Sequence, residues 1–172
     1  MIRIGIDPGL TGAIGVLSDT GRYLAVYDMP VSPYSDKGFV KNAVNVHVLA
    51  RILREYADQD CRVWVEQVNA MPKQGGASMF SLGMSYYGAC GVLAGCGMGY
   101  GLVHPRVWKH RAGLTAVKGD SLTLARELWP DAPLSLAKHH GRAEALLIAR
   151  FGDHSLGEQA VAGGEQAVAD GN

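Results

Sequence analysis

Residues 2–17 read IRIGIDPGLTGAIGVL and predict two adjacent strands joined by a short turn. Apolar side chains alternate along Ile2–Asp7, as in a half-buried strand, and Pro8-Gly9 is a turn signal. The second strand covers Gly12–Leu17. After a further turn signal, Tyr23–Met29 is predicted to be a third strand. Because turns this short join antiparallel neighbours, we expect the three strands to form an antiparallel sheet.

The rest of the chain is predicted to alternate strands with helices. A polar loop at residues 31–40 precedes a helix whose apolar residues recur at helical spacing. The predicted elements are a helix at Asn42–Ala57, a strand at Arg62–Val68, a long helix at Ala77–Gly95, a short strand at Leu102-Val103, and helices at Pro105–Arg111, Asp120–Trp129 and His140–Phe151. This order predicts an α/β fold, in which a mixed sheet is covered by helices on both faces.

Length and charge predict one domain with an acidic tail. The 172 residues are 48% hydrophobic, enough for one domain with a proper core. Residues 1–152 carry 16 Lys and Arg against 12 Asp and Glu, whereas residues 153–172 hold four acids and no base. The tail reads GEQAVA twice, too few copies for a solenoid. We expect one folded domain at 1–152 and a flexible or weakly helical appendage at 153–172.

The cysteines and the start of the chain predict a cytoplasmic protein. Three cysteines, none at C-x-x-C spacing, argue against a disulfide framework or a zinc site. No basic segment followed by an apolar run opens the chain, as a signal peptide would. Gln74–Pro105 has no charged residue but contains nine glycines, so it is expected to be a buried helix and strand and not a membrane span.

Three acidic residues are predicted to meet. Asp7 ends the first strand, Glu66 lies inside an almost continuous apolar strand, and Glu144 follows His140 by four residues on the last helix. A charge inside a buried strand is costly unless it is paired or bound to a metal. A spacing of four places His140 and Glu144 on one helix face. The alternatives are structural: a turn-forming Asp7, an edge-strand Glu66 in water and a solvated Glu144 on the helix.

Carboxylates that converge on one point repel each other unless a cation joins them. Hard oxygen ligands favour Mg²⁺ or Mn²⁺, and a pair of such ions hydrolyses phosphodiesters by activating water and stabilising the leaving oxygen. This chemistry needs no organic cofactor. The sequence therefore predicts a metal-dependent nuclease.

The motifs together resemble those of the RuvC-type Holliday junction resolvases. Ile4–Gly9 resembles their first-strand motif, and Val65-Glu66-Gln67 resembles their second acidic motif. Three later stretches are similar to their central helix, their basic segment and the last motif of the phage and prophage branch: Ser81-Leu82-Gly83 with Gly88, Pro105–Lys109 with Lys118, and Gly141–Ala149. The resemblance covers residues 1–152 in order.

The resemblance implies an RNase H-like fold, a homodimer and paired metal-dependent cuts across a four-way DNA junction. It implies that Asp7, Glu66 and Glu144 bind the metal. The family offers a fourth acid, or in some members a histidine, shortly before the last acid. This chain has His139, His140 and Gly141 there, and we expect His140 to bind metal or move a proton. A phage or prophage origin is implied only by the last motif.

The same resemblance implies which residues contact DNA. Lys109, Arg111 and Lys118 are expected to touch phosphates, with Arg106 in support, and such contacts fix position and not sequence. Lys118 is alternatively placed near the metal, where it stabilises the transition state. Four residues lie in or just after the loop that follows Glu66 and reaches the junction in the family: Met71, Lys73, Gln74 and Phe80. For Phe80, core packing is favoured over wedging or stacking at the junction centre, which is the expected role of Phe80 or Met71 otherwise.

Glycines on the long helix predict a tight helix contact. Gly83, Gly88, Gly91 and Gly95 permit a close backbone approach, either within the chain or to a second subunit.

Three other functions compete with the resolvase interpretation. Asp7-x-Gly9-x-Thr11 resembles the phosphate loop of sugar kinases and actin, but that class needs two such domains. A junction-binding protein without catalysis and an RNase H-type nuclease or exonuclease with another substrate are the others. The exonucleases usually carry Asp-x-Glu on the first strand, where this chain has Gly9.

Overall fold

The computed structural model describes residues 1–34, 40–69, 75–114 and 120–153. Seven strands and five helices lie in these ranges, with a short 3-10 turn, Ala137–His139, before the last helix. The strands are β1 (Ile2–Asp7), β2 (Ala13–Ser18), β3 (Tyr23–Asp28), β4 (Val31–Pro33), β5 (Asn42–Val44), β6 (Cys61–Glu66) and β7 (Gly101–Val103). The helices are α1 (Val46–Ala57), α2 (Gly76–Gly95), α3 (Pro105–Arg111), α4 (Asp120–Leu128) and α5 (His140–Phe151).

The main sheet has the order β3-β2-β1-β6-β7. β1 pairs antiparallel with β2, and β2 with β3, as the short turns predict. β6 lies parallel to β1, with Val65 opposite Ile6, and β7 lies parallel to β6, with Val103 opposite Glu66. The predicted mixed sheet is therefore confirmed, and Glu66 lies on an inner strand and not at an edge.

Helices cover both faces of this sheet, also as predicted. Ile4 and Ile6 belong to a core with residues of α1 and α2, and the opposite core contains residues of α3, α4 and α5. α5 lies directly on β1 and β2 because Gly5 and Gly15, which are register partners, carry no side chain there. A Cβ on Gly15 would lie 2.6 Å from the backbone nitrogen of Leu146.

Two local predictions are wrong near residue 40. The predicted polar loop and the start of the predicted helix contain β4 and β5, which pair in a small antiparallel sheet. α1 begins at Val46 and not at Asn42, because the Asn45 side chain caps it by accepting a hydrogen bond from the Val48 amide at 3.1 Å. The predicted strand at Arg62–Val68 likewise ends at Glu66.

The long helix α2 is more exposed than predicted. Among the described residues, no atom lies within 4 Å of a Cβ added to Gly83, Gly91 or Gly95, so close packing of these glycines against the described part of the chain is wrong. Phe80 is 60% exposed, so its predicted core role is also wrong. Among the described residues, no helix has both the length and the apolar character to cross a membrane.

Candidate metal centre

The three predicted acids lie at one rim of the main sheet. Asp7 ends β1 and Glu66 ends β6, and the parallel register that pairs Ile6 with Val65 makes the two acids neighbours at the same edge. Glu144 lies in the second turn of α5, which packs across β1 and β2. The charges of Asp7, Glu66 and Glu144 act on one another, so the fold brings all three together.

The turn after Asp7 is built from glycines that allow this approach. The Gly9 amide donates a hydrogen bond to Asp7 Oδ1 at 3.2 Å. A Cβ on Gly12 would strike the Asp7 backbone, and one on Gly141 would strike the Thr11 carbonyl. The start of α5 therefore rests directly on this turn, and position 141 has no room for a metal-binding side chain.

Burial makes both strand acids hold their protons more tightly than usual. Burial, with a smaller contribution from the charge of Glu144, raises the pKa of Asp7 to about 6 against the opposing Gly9 amide and Lys109. Burial and the neighbouring Asp7 raise the pKa of Glu66 to about 7. Carboxyl groups whose pKa is raised by burial and by neighbouring acids cluster at functional sites.

Helix α3 supplies partners for two of the acids through consecutive residues. The buried Trp108 donates its indole N–H to Glu66 Oε1 at 2.8 Å. The Lys109 ammonium lies 3.0 Å from Glu144 Oε1 and 5.0 Å from the centre of the Trp108 ring. The Ser121 hydroxyl also donates to Glu144 Oε1, at 3.3 Å.

Sequence reasoning missed Trp108 and Ser121 as members of this site. Lys109 was expected at phosphates, and the structure places its ammonium among the acids. The only sequence signal was the Pro105–Lys109 motif, in which a tryptophan on the core face of a short helix carries a polar N–H that needs a buried partner.

The two histidines have different positions. His139 is buried, and its Nδ1 accepts a hydrogen bond from the Leu136 amide at 3.2 Å. Burial and the charge of Arg142 lower the pKa of His139. His140 is the exposed first residue of α5, and no hydrogen bond or ion pair within the described ranges joins it to the acids. Within the described ranges, His139 is held by the Leu136 amide, whereas His140 is exposed to solvent.

The three predicted DNA-binding residues that the structure describes all lie on α3: Arg106, Lys109 and Arg111. Arg106 is exposed in the first turn of α3, next to the rim where β7 ends. The Arg111 guanidinium donates to the backbone carbonyl of Asp153, beyond the far end of α5 from Glu144. Four predicted residues lie outside the described ranges, as does the tail after Asp153: Met71, Lys73, Gln74 and Lys118.

The donor set fits a hard divalent cation, although it is not arranged as a finished site. Within the part of the chain that the structure describes, no three His, Cys, Asp or Glu side chains are already placed to hold one ion. Lys109 neutralises Glu144, while Asp7 and Glu66 have no ion pair among the described residues. Carboxylate oxygens are the ligands that Mg²⁺ and Mn²⁺ prefer.

Comparison with known proteins supports this geometry at the level of the fold. Thermus thermophilus RuvC, solved in complex with a Holliday junction substrate, superposes with a TM-score of 0.58 at 20% identity, over 87% of this chain and 90% of that one. The chain has the fold of RuvC. A second structure of T. thermophilus RuvC gives a TM-score of 0.57 at 20% identity, over 88% of this chain and 97% of the RuvC chain. The RNase H-like fold implied by the motifs is thus confirmed.

Sequence comparison gives one further relative. An alignment of 92 residues, which covers 51% of the chain, is 39% identical to the chloroplastic Holliday junction resolvase MOC1 of Chlamydomonas reinhardtii. The matched part is only 10% of the length of that protein. No family model matches the chain. The resemblance to junction resolvases that the motifs predict is therefore found independently by both structure and sequence.

Proposed function

We propose that this protein is a divalent-metal endonuclease that makes paired nicks in four-way DNA. The observation that carries the proposal is the meeting of Asp7, Glu66 and Glu144 at one rim of a RuvC-like sheet. The relatives support the choice of substrate, because one RuvC structure contains a Holliday junction and MOC1 is a junction resolvase. The sugar-kinase and actin alternative needs two such domains, whereas the described residues form one five-stranded sheet of this kind.

We propose that the three acids hold Mg²⁺ or Mn²⁺, with two ions in each active site. When bound, such ions activate water and stabilise the leaving oxygen of a phosphodiester. Asp7 and Glu66 supply buried carboxylates, and Lys109 supplies positive charge beside Glu144, where it is able to meet a DNA phosphate. His140, exposed one turn before Glu144, is proposed as the proton-handling or fourth binding group.

The remaining positive residues are proposed to bind the DNA backbone. Arg106 and Lys109 lie on α3 beside the rim, and we place the first phosphate contacts there. Lys73, Gln74 and Lys118 keep their predicted DNA-binding roles, with Lys118 as a second candidate for a role in catalysis. Arg111 has to leave the Asp153 carbonyl before it can reach a phosphate, so we expect the smallest contribution from it.

A four-way junction assay tests the proposal. A synthetic junction and a linear duplex of the same sequence are incubated with the protein in Mg²⁺ and in Mn²⁺. We expect symmetric nicks in the junction only, and none in EDTA. Cutting of the linear duplex at the same rate would instead indicate an RNase H-like nuclease with a different substrate.

The Lys109–Glu144 ion pair favours one second candidate, a junction-binding protein without catalysis. The Lys109 ammonium balances the charge of Glu144 without any metal, at an N–O distance of 3.0 Å. Tight junction binding with no nicks in either metal would select this function over the first.

We propose that the molecule is a homodimer joined through α2. One face of this uncharged helix is a strip of small and apolar residues that the chain itself leaves open: Phe80, Gly83, Met84, Tyr87, Gly91 and Gly95. Glycines in such a strip let two helices approach closely, and a two-fold dimer accounts for paired cuts. The cytoplasmic location and the phage or prophage origin that the sequence predicts stay proposals.

Tyr87→Asp should convert the dimer into monomers. Tyr87 is 75% exposed at the middle of the strip, so an aspartate there costs an isolated chain little but places a charge in the interface. Light scattering after size exclusion should show the mass of two chains for the parent and one for the variant. Leu128→Asp on α4, 41% exposed on the opposite face, is the control and should stay dimeric. A monomeric parent would contradict the proposal.

Metal binding should strengthen as the pH rises. Since the pKa values of Asp7 and Glu66 are raised to about 6 and about 7, both acids hold protons at about pH 5 that an ion must displace. For the metal-free protein, the stability of the fold changes with pH in the opposite direction. Its folded state favours the protonated forms of Asp7 and Glu66, so the contribution of these acids to stability falls as the pH rises through about 6 and about 7. The shift in melting temperature caused by Mn²⁺ should be larger at about pH 8 than at about pH 5. Equal shifts would show that these carboxyl groups do not bind the ion.

A further inference from the structure

We infer that Trp108 is a positioning residue for the metal centre, whose indole N–H fixes the direction in which Glu66 presents its carboxylate. The inference rests on the proposed function and names a residue outside the three acids. The contact is a hydrogen bond of 2.8 Å from Trp108 Nε1 to Glu66 Oε1, across 42 positions of sequence.

The packing of Trp108 makes this donor rigid. Its side chain is fully buried in the core formed by α3, α4 and α5, together with Val103 and Leu147. A ring held on all sides has one orientation, and its N–H therefore points in one direction. The indole N–H is also the ring's only polar group and must find a partner when buried, so Glu66 and Trp108 satisfy each other.

The neutrality of the donor is what suits it to a metal site. Lys109 holds Glu144 with a full positive charge, which competes with an incoming cation. The Trp108 N–H orients Glu66 without cancelling its charge and uses only Oε1. Within the described ranges Glu66 has no other hydrogen bond, so Oε2 is left for an ion shared with Asp7. A fixed hydrogen bond to a ligating carboxylate is the usual way in which proteins orient metal ligands.

Trp129 provides a matched control within the same core. It is also buried, and its indole N–H donates at 2.9 Å to the Gly21 carbonyl, which is not part of the acidic rim. Trp108→Phe and Trp129→Phe therefore remove the same group, one at the acids and one at a turn. A purely structural role for Trp108 predicts similar effects of the two changes.

The test measures binding of Mn²⁺ alone by calorimetry, without DNA or cleavage. We expect Trp108→Phe to weaken Mn²⁺ binding by about 10- to 100-fold and Trp129→Phe to leave it within a factor of about two. Equal affinity of parent and Trp108→Phe overturns the inference and leaves the proposed function standing. Failure of the parent itself to bind Mn²⁺ overturns both.

A second measurement applies if Trp108→Phe does not fold. The double variant Trp64→Phe/Trp129→Phe keeps Trp108 as the only tryptophan of the chain. Because its N–H contacts Glu66, Mg²⁺ added to this variant should change the indole fluorescence, with saturation at the concentration that calorimetry of the same variant with Mg²⁺ gives. Adding Glu66→Gln should abolish the response. An unchanged spectrum in the double variant overturns the inference.

Discussion

Asp7→Asn should abolish cutting of a four-way junction while leaving junction binding intact. Asparagine keeps the shape of the side chain and an oxygen that accepts the Gly9 amide, but it loses the charge that attracts the ion. Removing even an outer partner of a metal ligand costs about 10- to 100-fold in activity, so losing a ligand should cost more than about 100-fold. Nicking and gel-shift assays on the same junction separate the two effects.

A second readout of the same variant does not depend on DNA. Without metal, the charges of Glu66 and Glu144 act against that of Asp7, so the neutral variant should melt at a higher temperature than the parent in EDTA. Asp60→Asn is the control, because Asp60 is an exposed acid with 81% of its side chain accessible. It should cut like the parent. Cutting by Asp7→Asn at the parental rate would show that the assigned centre is wrong.

Gly5→Ala should unfold the protein or come close to it. An added Cβ on Gly5 would strike the Ala145 carbonyl and the Ala149 amide and would lie 2.9 Å from the Ile148 carbonyl carbon, all of them backbone atoms of α5. Backbone atoms cannot rotate away, so α5 must move off β1. Overpacking of a core costs about 1–3 kcal/mol when side chains are able to adjust, and we expect at least the upper end here.

Gly99→Ala is the matched control for this substitution. The substitution adds the same methyl group at an exposed site, where no atom of the described residues lies within 4 Å of it. Its free energy of unfolding should stay within about 1 kcal/mol of the parent's. Urea denaturation followed by circular dichroism measures both variants. A Gly5→Ala protein as stable as Gly99→Ala would contradict the contact between α5 and β1 that positions Glu144.

Local signals explain why much of the fold was predictable. The bounds of α3 and α5 are those predicted, because Pro105 marks the start of one helix and apolar residues at helical spacing define the other. The short turns between β1, β2 and β3 predicted that these strands pair antiparallel. The β4–β5 pair was missed because strands of three residues are too short to show alternation. Phe80 was misplaced because apolar composition does not distinguish a core face from an exposed apolar face.

The site was predictable in its acids but not in their partners. Asp7 and Glu66 end strands whose parallel pairing follows from the fold, so their meeting could be foreseen. The contacts of Trp108 and Lys109 join distant parts of the chain and leave no trace in local periodicity. The place of a fourth ligand was not predictable either, because the packing that excludes any side chain at Gly141 exists only in the folded protein.

The most direct test of the proposed metal centre is a crystal structure of the protein with Mn²⁺, in which anomalous diffraction locates the ion. We predict a strong anomalous peak at the rim, in contact with carboxylate oxygens of Asp7, Glu66 and Glu144, with Lys109 displaced from Glu144. A peak elsewhere, or none at saturating Mn²⁺ while the Lys109–Glu144 pair persists, would contradict the claim that these acids form a divalent-metal centre.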